Sequence, residues 1–223
     1  MKLAKQAIDI GLFTNQLDPM LEFWQNTAGV PFSELLPLGG GLRQHRHAIG
    51  LSVFKLNHAR DPLVAAAPSG IRVLTVANSK IISNTSLVDP DGNRVRLVPA
   101  GASTPPLTIH LTVSDLESHR RFYGEALGLP EIENGTFAAG ESRLALTEGA
   151  ATRDPVQQST GYRYMTLQIF DVVAAHTHVL NSGGREGSAP RRLGDVAYIS
   201  FVRDPDGNWI ELSQRKSIVG SLD

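Results

Sequence analysis

Between Leu107 and Val113 apolar and polar positions alternate, with Leu107, Ile109, Leu111 and Val113 on one side and Thr108, His110 and Thr112 on the other. A period of two predicts a strand with one face on a core. The spacing then changes. Ser114-Asp115-Leu116-Glu117 has the Ser-x-x-Glu form of a capping box, and Leu116, Phe122, Tyr123, Ala126 and Leu127 recur at helical intervals up to Gly128. Short strands follow, among them Ser142–Thr147. At Tyr162 the pattern restarts: a strand over Tyr162–Ile169 carries Met165, Leu167 and Ile169 on one face and Tyr162, Tyr164, Thr166 and Gln168 on the other. Asp171 then caps an apolar helix that ends at Gly183-Gly184, and strands are expected over Val196–Val202 and Trp209–Ser213. The first half opens the same way, with a strand over Ile8–Phe13, a helix capped by Asp18 with Pro19 at its first position, and a later strand over Ser52–Leu56.

Asp-Pro-Asp-Gly-Asn occurs at Asp89–Asn93 and again at Asp204–Asn208, each time before a short apolar strand. Phe23-Trp24 precedes Gly29 as Phe122-Tyr123 precedes Gly128, so the chain is an internal duplication. Its copies are offset by 99 residues at these front landmarks and by 115 at the pentapeptides. The stretch from Val76 to Val88 is 22 residues shorter than its counterpart from Ile169 to Arg203, the length of a helix and its turns. The expected architecture is therefore α+β: tandem βαβββ modules with curved mixed sheets and helices on the outer faces. Residues 1–100 form an N-terminal domain lacking one helix, the small, proline-ended stretch 101–106 a linker, and residues 107–223 a C-terminal domain. The pentapeptide itself suits a tight turn, with Pro second and Gly fourth.

Composition narrows the chemistry. Twenty-one basic residues face 22 acidic ones in a chain of 223, without long runs of one sign, so neither nucleic acid nor an anionic membrane is an expected partner. Cysteine is absent, which removes thiolate ligands and thiol nucleophiles. Gln6 and Asp9 interrupt what would be the apolar region of a signal peptide, and a cytoplasmic protein is expected.

Three polar-face strand positions belong together in this reading: His110, Tyr164 and Glu211. If their strands share one curved sheet, imidazole, phenol and carboxylate project into a common cleft, a set able to hold a divalent metal with positions open for substrate oxygens. Tyr162, Phe201 and Trp209 would add an aromatic wall. The cluster His45-Arg46-His47, with His58 and Arg60, falls near the expected open face of the first domain and reads equally as a solvated strand edge, and His119, His176 and His178 read as helix-surface residues.

The repeated modules, the Asp-Pro-Asp-Gly-Asn turn before Ile210-Glu211-Leu212, and the opening His110 before a capped helix ending Phe122-Tyr123…Leu127-Gly128-Leu129 resemble the vicinal oxygen chelate superfamily of glyoxalases, bleomycin-resistance proteins and extradiol dioxygenases. The resemblance implies metal ligands on the first strands of successive modules and on the last strand, hence His110, Tyr164 and Glu211, with Glu211 and Tyr164 at the reacting centre. The corresponding first-half positions, Gly11, Ile71 and Arg96, offer no ligand. It implies a divalent ion (Fe, Mn, Zn or Ni), or none, and a small-molecule substrate, with a homodimer as a candidate assembly. Tyr164 departs from the usual His, and the extradiol signature is missing around Ser200-Phe201, where 191–194 holds no His. The resulting expectation is a metal-dependent lyase, isomerase or dioxygenase; the alternative is a non-catalytic small-molecule binder of the bleomycin-resistance type.

Overall fold

A computed structural model describes residues 1–222. Four modules follow one another. The first comprises β1 (Leu3–Thr14), α1 (Leu17–Glu22), β2 (Phe32–Gly39), β3 (Leu42–Ile49) and β4 (Ser52–Ala59). The second has only β5 (Ile71–Asn78), β6 (Thr85–Val88) and β7 (Arg94–Pro99). The third comprises β8 (Leu107–Val113), α2 (Leu116–Arg121), β9 (Glu131–Glu133), β10 (Thr136–Ala139) and β11 (Ser142–Glu148). The fourth comprises β12 (Gly161–Ile169), α3 (Val172–Asn181), β13 (Arg185–Leu193), β14 (Ala197–Arg203) and β15 (Trp209–Arg215), trailed by α4 (Lys216–Val219). Both α1 and α2 run on into a π-helical turn, Phe23–Thr27 and Phe122–Ala126.

The modules pair outer with outer and inner with inner. One eight-stranded sheet has the order β13-β14-β15-β12-β1-β4-β3-β2, and a seven-stranded sheet has the order β6-β7-β5-β8-β11-β10-β9. Each sheet thus takes one module from either side of 101–106. At both centres the first strands of two modules run antiparallel, with Gly11 opposite Tyr164 and Val73 opposite His110. Alternation does the rest. The apolar sides of both sheets, represented by Ile10, Leu12, Leu74, Leu97, Ile109, Met165 and Leu212, enter a single buried core with Trp24 and Tyr123 from the two π-helical turns.

No helix joins β5 to β6. The apolar side of that short module is nevertheless buried, with Leu74, Val76, Val95 and Leu97 all at or below 3 % exposure. The end of the first helical segment lies beside it, where Asn78 Nδ2 donates to the Ala28 carbonyl at 2.9 Å. The caps differ from the sequence expectation by a residue or a role. Asp115, rather than Ser114, caps α2 by accepting from Ser118 N at 2.7 Å, while Ser114 bonds Asp206 instead. Asp171 caps α3 as expected, and Asp18 lies in the first turn of an α1 without a side-chain cap.

Both pentapeptides fold on their leading carboxylate. Asp89 Oδ1 accepts from Asp91 N and Asn93 N, and Asp204 Oδ1 from Asp206 N and Asn208 N, while Gly92 and Gly207 take φ of 85° and 89°. The second turn also reaches across the sheets, since Asn208 Oδ1 accepts from Gly70 N at 2.8 Å, just before β5. Its carboxylate is the hub of a buried cluster in which Tyr123 donates to Asp204 at 2.9 Å and His119 Nε2 lies 3.5 Å from both Asp204 and Asp206. His119 and His176 are accordingly buried and not surface residues; only His178 of the three is exposed. For His119, burial works against the proton, but the Asp204 hydrogen bond and charge outweigh it and raise the pKa.

His45 and His47 also lie inside, at 9 % and 0 % exposure, and not on a solvated edge, because Phe32, Trp24 and Phe54 close over that end of the sheet. Burial lowers the His47 pKa to about 4. A histidine whose folded pKa is depressed below its unfolded value of about 6.5 contributes stability above the unfolded pKa that is lost as pH falls through the folded one. Chemical denaturation between pH 6.5 and 4 is therefore expected to show falling stability. The fall should be shallower in His47→Phe, which keeps the ring packing without the titrating nitrogen; an unchanged slope would mean that other groups carry it.

Candidate functional site

The polar side of the eight-stranded sheet is packed with charged and amide side chains. Lys55 on β4 places its ammonium 2.7 Å from Glu211 Oε2 and 2.7 Å from Thr166 Oγ1, and Thr166 donates to the same carboxylate oxygen at 2.7 Å. Arg46 pairs with Glu34 on one side of this centre, and Asp9 pairs with Lys5 and accepts from Val53 N and Gln168 on the other. Lys55 and Glu211 keep only 6 % and 12 % of their side-chain surface exposed, so the pair interacts with little screening by water. The Lys55 ammonium also stands over the Tyr164 ring, 5.5 Å from its centroid. Tyr164 itself accepts from Asn57 Nδ2 at 3.2 Å.

An aromatic wall adjoins this centre. Tyr164 meets Phe13 at 6.0 Å and Phe201 at 5.9 Å, and Phe201 meets Trp209 edge-on at 5.9 Å between centroids. Trp209 is fixed by donating to the Pro155 carbonyl at 2.7 Å and by the Arg203 guanidinium 3.9 Å from its ring centroid. Among the described residues three buried polar atoms on this face lack a hydrogen-bond partner: Arg46 Nε and Arg203 Nε, both donors, and Gln168 Oε1, an acceptor.

Register identifies equivalent positions without any outside reference. Tyr164 faces Gly11 across the centre, and Glu211 stands opposite Thr166 as Asn57 stands opposite Phe13. The first-strand and last-strand positions of this sheet are thus Gly11, Asn57, Tyr164 and Glu211. In the seven-stranded sheet the same rule gives Val73, Arg96, His110 and Thr147, so Val73 replaces Ile71 as the counterpart of Tyr164. The offset arises because β5 carries one extra residue between Ile71, opposite Leu111, and Val73, opposite His110.

These positions do not make a metal centre. Glu211 is already neutralised by an ammonium, and a side chain at Gly11 would place its Cβ 2.0 Å from the Tyr164 ring. Burial, reinforced by the Glu211 charge, raises the Tyr164 pKa far above that of a free phenol, so the hydroxyl stays protonated. Among the described residues no group of three His, Asp or Glu side chains is placed to hold an ion. His110, Tyr164 and Glu211 were expected on one sheet; the structure puts His110 on the other, because β8 pairs with β5 and β12 with β1. The His110 ring bonds Thr75 Oγ1 at 2.9 Å instead, and burial followed by the Arg96 charge lowers its pKa.

Tyr162 leaves the aromatic wall as well. The β1–β12 ladder passes from Gly11 opposite Tyr164 to Leu12 opposite Tyr162, and this bulge turns the two tyrosines to opposite faces. Tyr162 is a core residue whose hydroxyl donates to the Arg94 carbonyl at 3.3 Å. The intervening Arg163 is 2 % exposed and binds the carbonyls of Ala67 and Ser159, tying together the segments that precede β5 and β12. Tyr164, Phe201, Trp209 and Glu211 do come together. Lys55 and Asn57 were missed, although their alternation with Phe54 and Leu56 in β4 marks them as polar-face positions of a buried strand.

Comparison with known proteins places this geometry in a family. Residues 106–212 match the model of the Glyoxalase/Bleomycin resistance protein/Dioxygenase superfamily. A lactoylglutathione lyase of Haemophilus influenzae is 31% identical over 133 residues, which span 50% of this chain and 93% of that protein. A probable lactoylglutathione lyase of Synechocystis is 28% identical over 123 residues, spanning 48% of this chain and 92% of its own. Glyoxalase I from Zea mays superposes with a TM-score of 0.75 at 16% identity, covering 96% of this chain and 95% of the other. A putative dioxygenase from Bacillus subtilis does so with a TM-score of 0.65 at 12% identity, over 95% and 86%. With its family model over the third and fourth modules and the two-sheet fold over nearly the whole chain, the protein belongs to the glyoxalase/bleomycin resistance protein/dioxygenase superfamily.

Proposed function

We propose that the protein is a metal-independent member of this superfamily that binds a small molecule on the polar face of the eight-stranded sheet. The observation that carries this reading is the Lys55 ammonium at 2.7 Å from Glu211, a fixed cation among the positions from which a metal would be held. A ligand with an apolar or aromatic body would lie along Phe201 and Trp209, and its oxygen substituents would turn to Lys55 and to the unpaired Arg46 Nε. Gln168 Oε1 would accept from a donor on the same ligand. Lyase or isomerase activity is the second reading, favoured by the lactoylglutathione lyases among the sequence relatives. It separates from the first by assaying lactoylglutathione formation with and without added metal.

Thermal unfolding in the presence of zinc, manganese, nickel or ferrous ion is expected to leave Tm where it is, since only an ion that binds the folded chain raises it. Isothermal titration showing one tightly held ion per chain would overturn the reading. Lys55→Met is expected to destabilise the chain by about 3 kcal/mol in denaturant titration, because it strands a carboxylate with little access to water. Adding Glu211→Gln should return most of that loss, as the amide still accepts from Thr166. Single and double variants of equal stability would show that the pair is not coupled.

A further inference from the structure

The second sheet offers a face of a different character. Its register aligns two rows of polar-side positions across five adjacent strands: Ala138, Arg143, Thr108, Thr75 and Arg96 in one, Thr136, Ala145, His110, Val73 and Arg94 in the other. The middle of both rows is floored by short side chains and one imidazole, all partly exposed, whereas the matching face of the eight-stranded sheet is filled by buried Gln44, Arg46, Lys55 and Asn57. Arg94 and Arg96 rise from β7 at the side of this floor. Both are exposed, and neither guanidinium has a carboxylate or carbonyl partner among the described residues.

Charge on this face is one-sided. Arg143 stands in the first row on the far side of Thr108 from Arg96, bent back onto the carbonyls of Gly140 and Ser142. Neighbouring strands lie about 4.8 Å apart, so Arg143 and Arg96 face each other over about 14 Å. Among the described residues the one carboxylate aligned with these rows, Glu133 on β9, is five strands from Arg94 at the opposite edge of the sheet. Permanently charged guanidinium groups over a hydroxyl-lined floor, with no carboxylate bonded to Arg94 or Arg96 among the described residues, make a surface complementary to an oxyanion. Thr75 and His110 are held to each other at 2.9 Å, which fixes the hydroxyl and ring that such a group would meet.

We propose that this face is a second binding site, distinct from the polar face of the eight-stranded sheet, for the carboxylate or phosphate group of a small molecule, with Arg94 and Arg96 as its anchors and Thr75, Thr108 and His110 as its floor. It stands on different residues from the metal-independent site and does not depend on that reading. The test is a titration of the full chain with inorganic phosphate and, separately, with succinate, followed by amide chemical shifts. Saturable shifts confined to Val73, Thr75, Arg94, Arg96, Thr108 and His110 are expected with at least one of the two anions, and the one that binds more tightly tells phosphate from carboxylate.

Arg96→Ala should weaken the better anion by roughly fivefold, the scale of one exposed charge pair. Arg96→Gln, which keeps most of the stem, should weaken it similarly while leaving Tm unchanged. The double variant Arg94→Ala/Arg96→Ala should abolish saturation. Arg121→Ala, which removes an exposed arginine of α2, should leave affinity unchanged. No saturable response to either anion would overturn the proposal, as would shifts scattered over every arginine-bearing surface or equal weakening by Arg96→Ala and Arg121→Ala.

Discussion

Antiparallel pairing of first strands across the two halves of the chain is the constraint from which the rest of the molecule follows. β1 lies against β12 and β5 against β8, so the outer modules share one sheet and the inner modules the other. Backbone hydrogen bonding then fixes which residues can meet. A one-residue slip would exchange the core face for the polar face along a whole strand. The bulge at Arg163 shows the same rule at small scale, turning Tyr162 to the core while its neighbour-but-one Tyr164 stays on the polar side. Asn208 reaching from the end of the fourth module to Gly70 at the start of the second ties the two sheets to each other at the point where both registers begin.

Within that frame the two polar faces have diverged. In the eight-stranded sheet a lysine has come to lie against Glu211, and the phenol of Tyr164 fills the space over Gly11, so cation and carboxylate satisfy each other inside the protein. Removing either partner alone leaves a charge with few alternatives, which is why such a pair persists or changes as a unit. Among the described residues the strand positions paired with His110 in the seven-stranded sheet are Val73 and Ala145, neither acidic, and the arginines of β7 have no carboxylate partner. The same fold thereby presents one face whose central cation is paired with a carboxylate and another whose arginines have no such partner among the described residues.

The short second module shows how burial is maintained when an element is missing. Without a helix between β5 and β6, the apolar side of β5 and β7 is closed by the shared core and by the π-helical turn that follows α1, pinned through Asn78 to Ala28. A sheet face needs covering by something apolar, and the source of that cover is immaterial to its stability. Back-to-back sheets make one helix dispensable.

The alternation along β8 and β15, the cap of α3, the duplicated pentapeptide and the shorter second module were all legible in the sequence, because each is set by contacts between residues near one another in the chain. So was the aromatic pair Phe201 and Trp209, whose strands are joined by a single turn. Which strands become neighbours is a different kind of fact. His110 carries the same local pattern whether β8 joins β12 or β5, and nothing near it in sequence distinguishes the two. Lys55 meets Glu211 across 156 residues, and only the order of strands in the folded sheet brings an ammonium there. Sequence periodicity determined which side of a strand faces the core wherever no bulge interrupts it. The tertiary pairing decided which polar sides share a face, because hydrogen-bond register between distant strands is a property of the assembled sheet and not of any one segment.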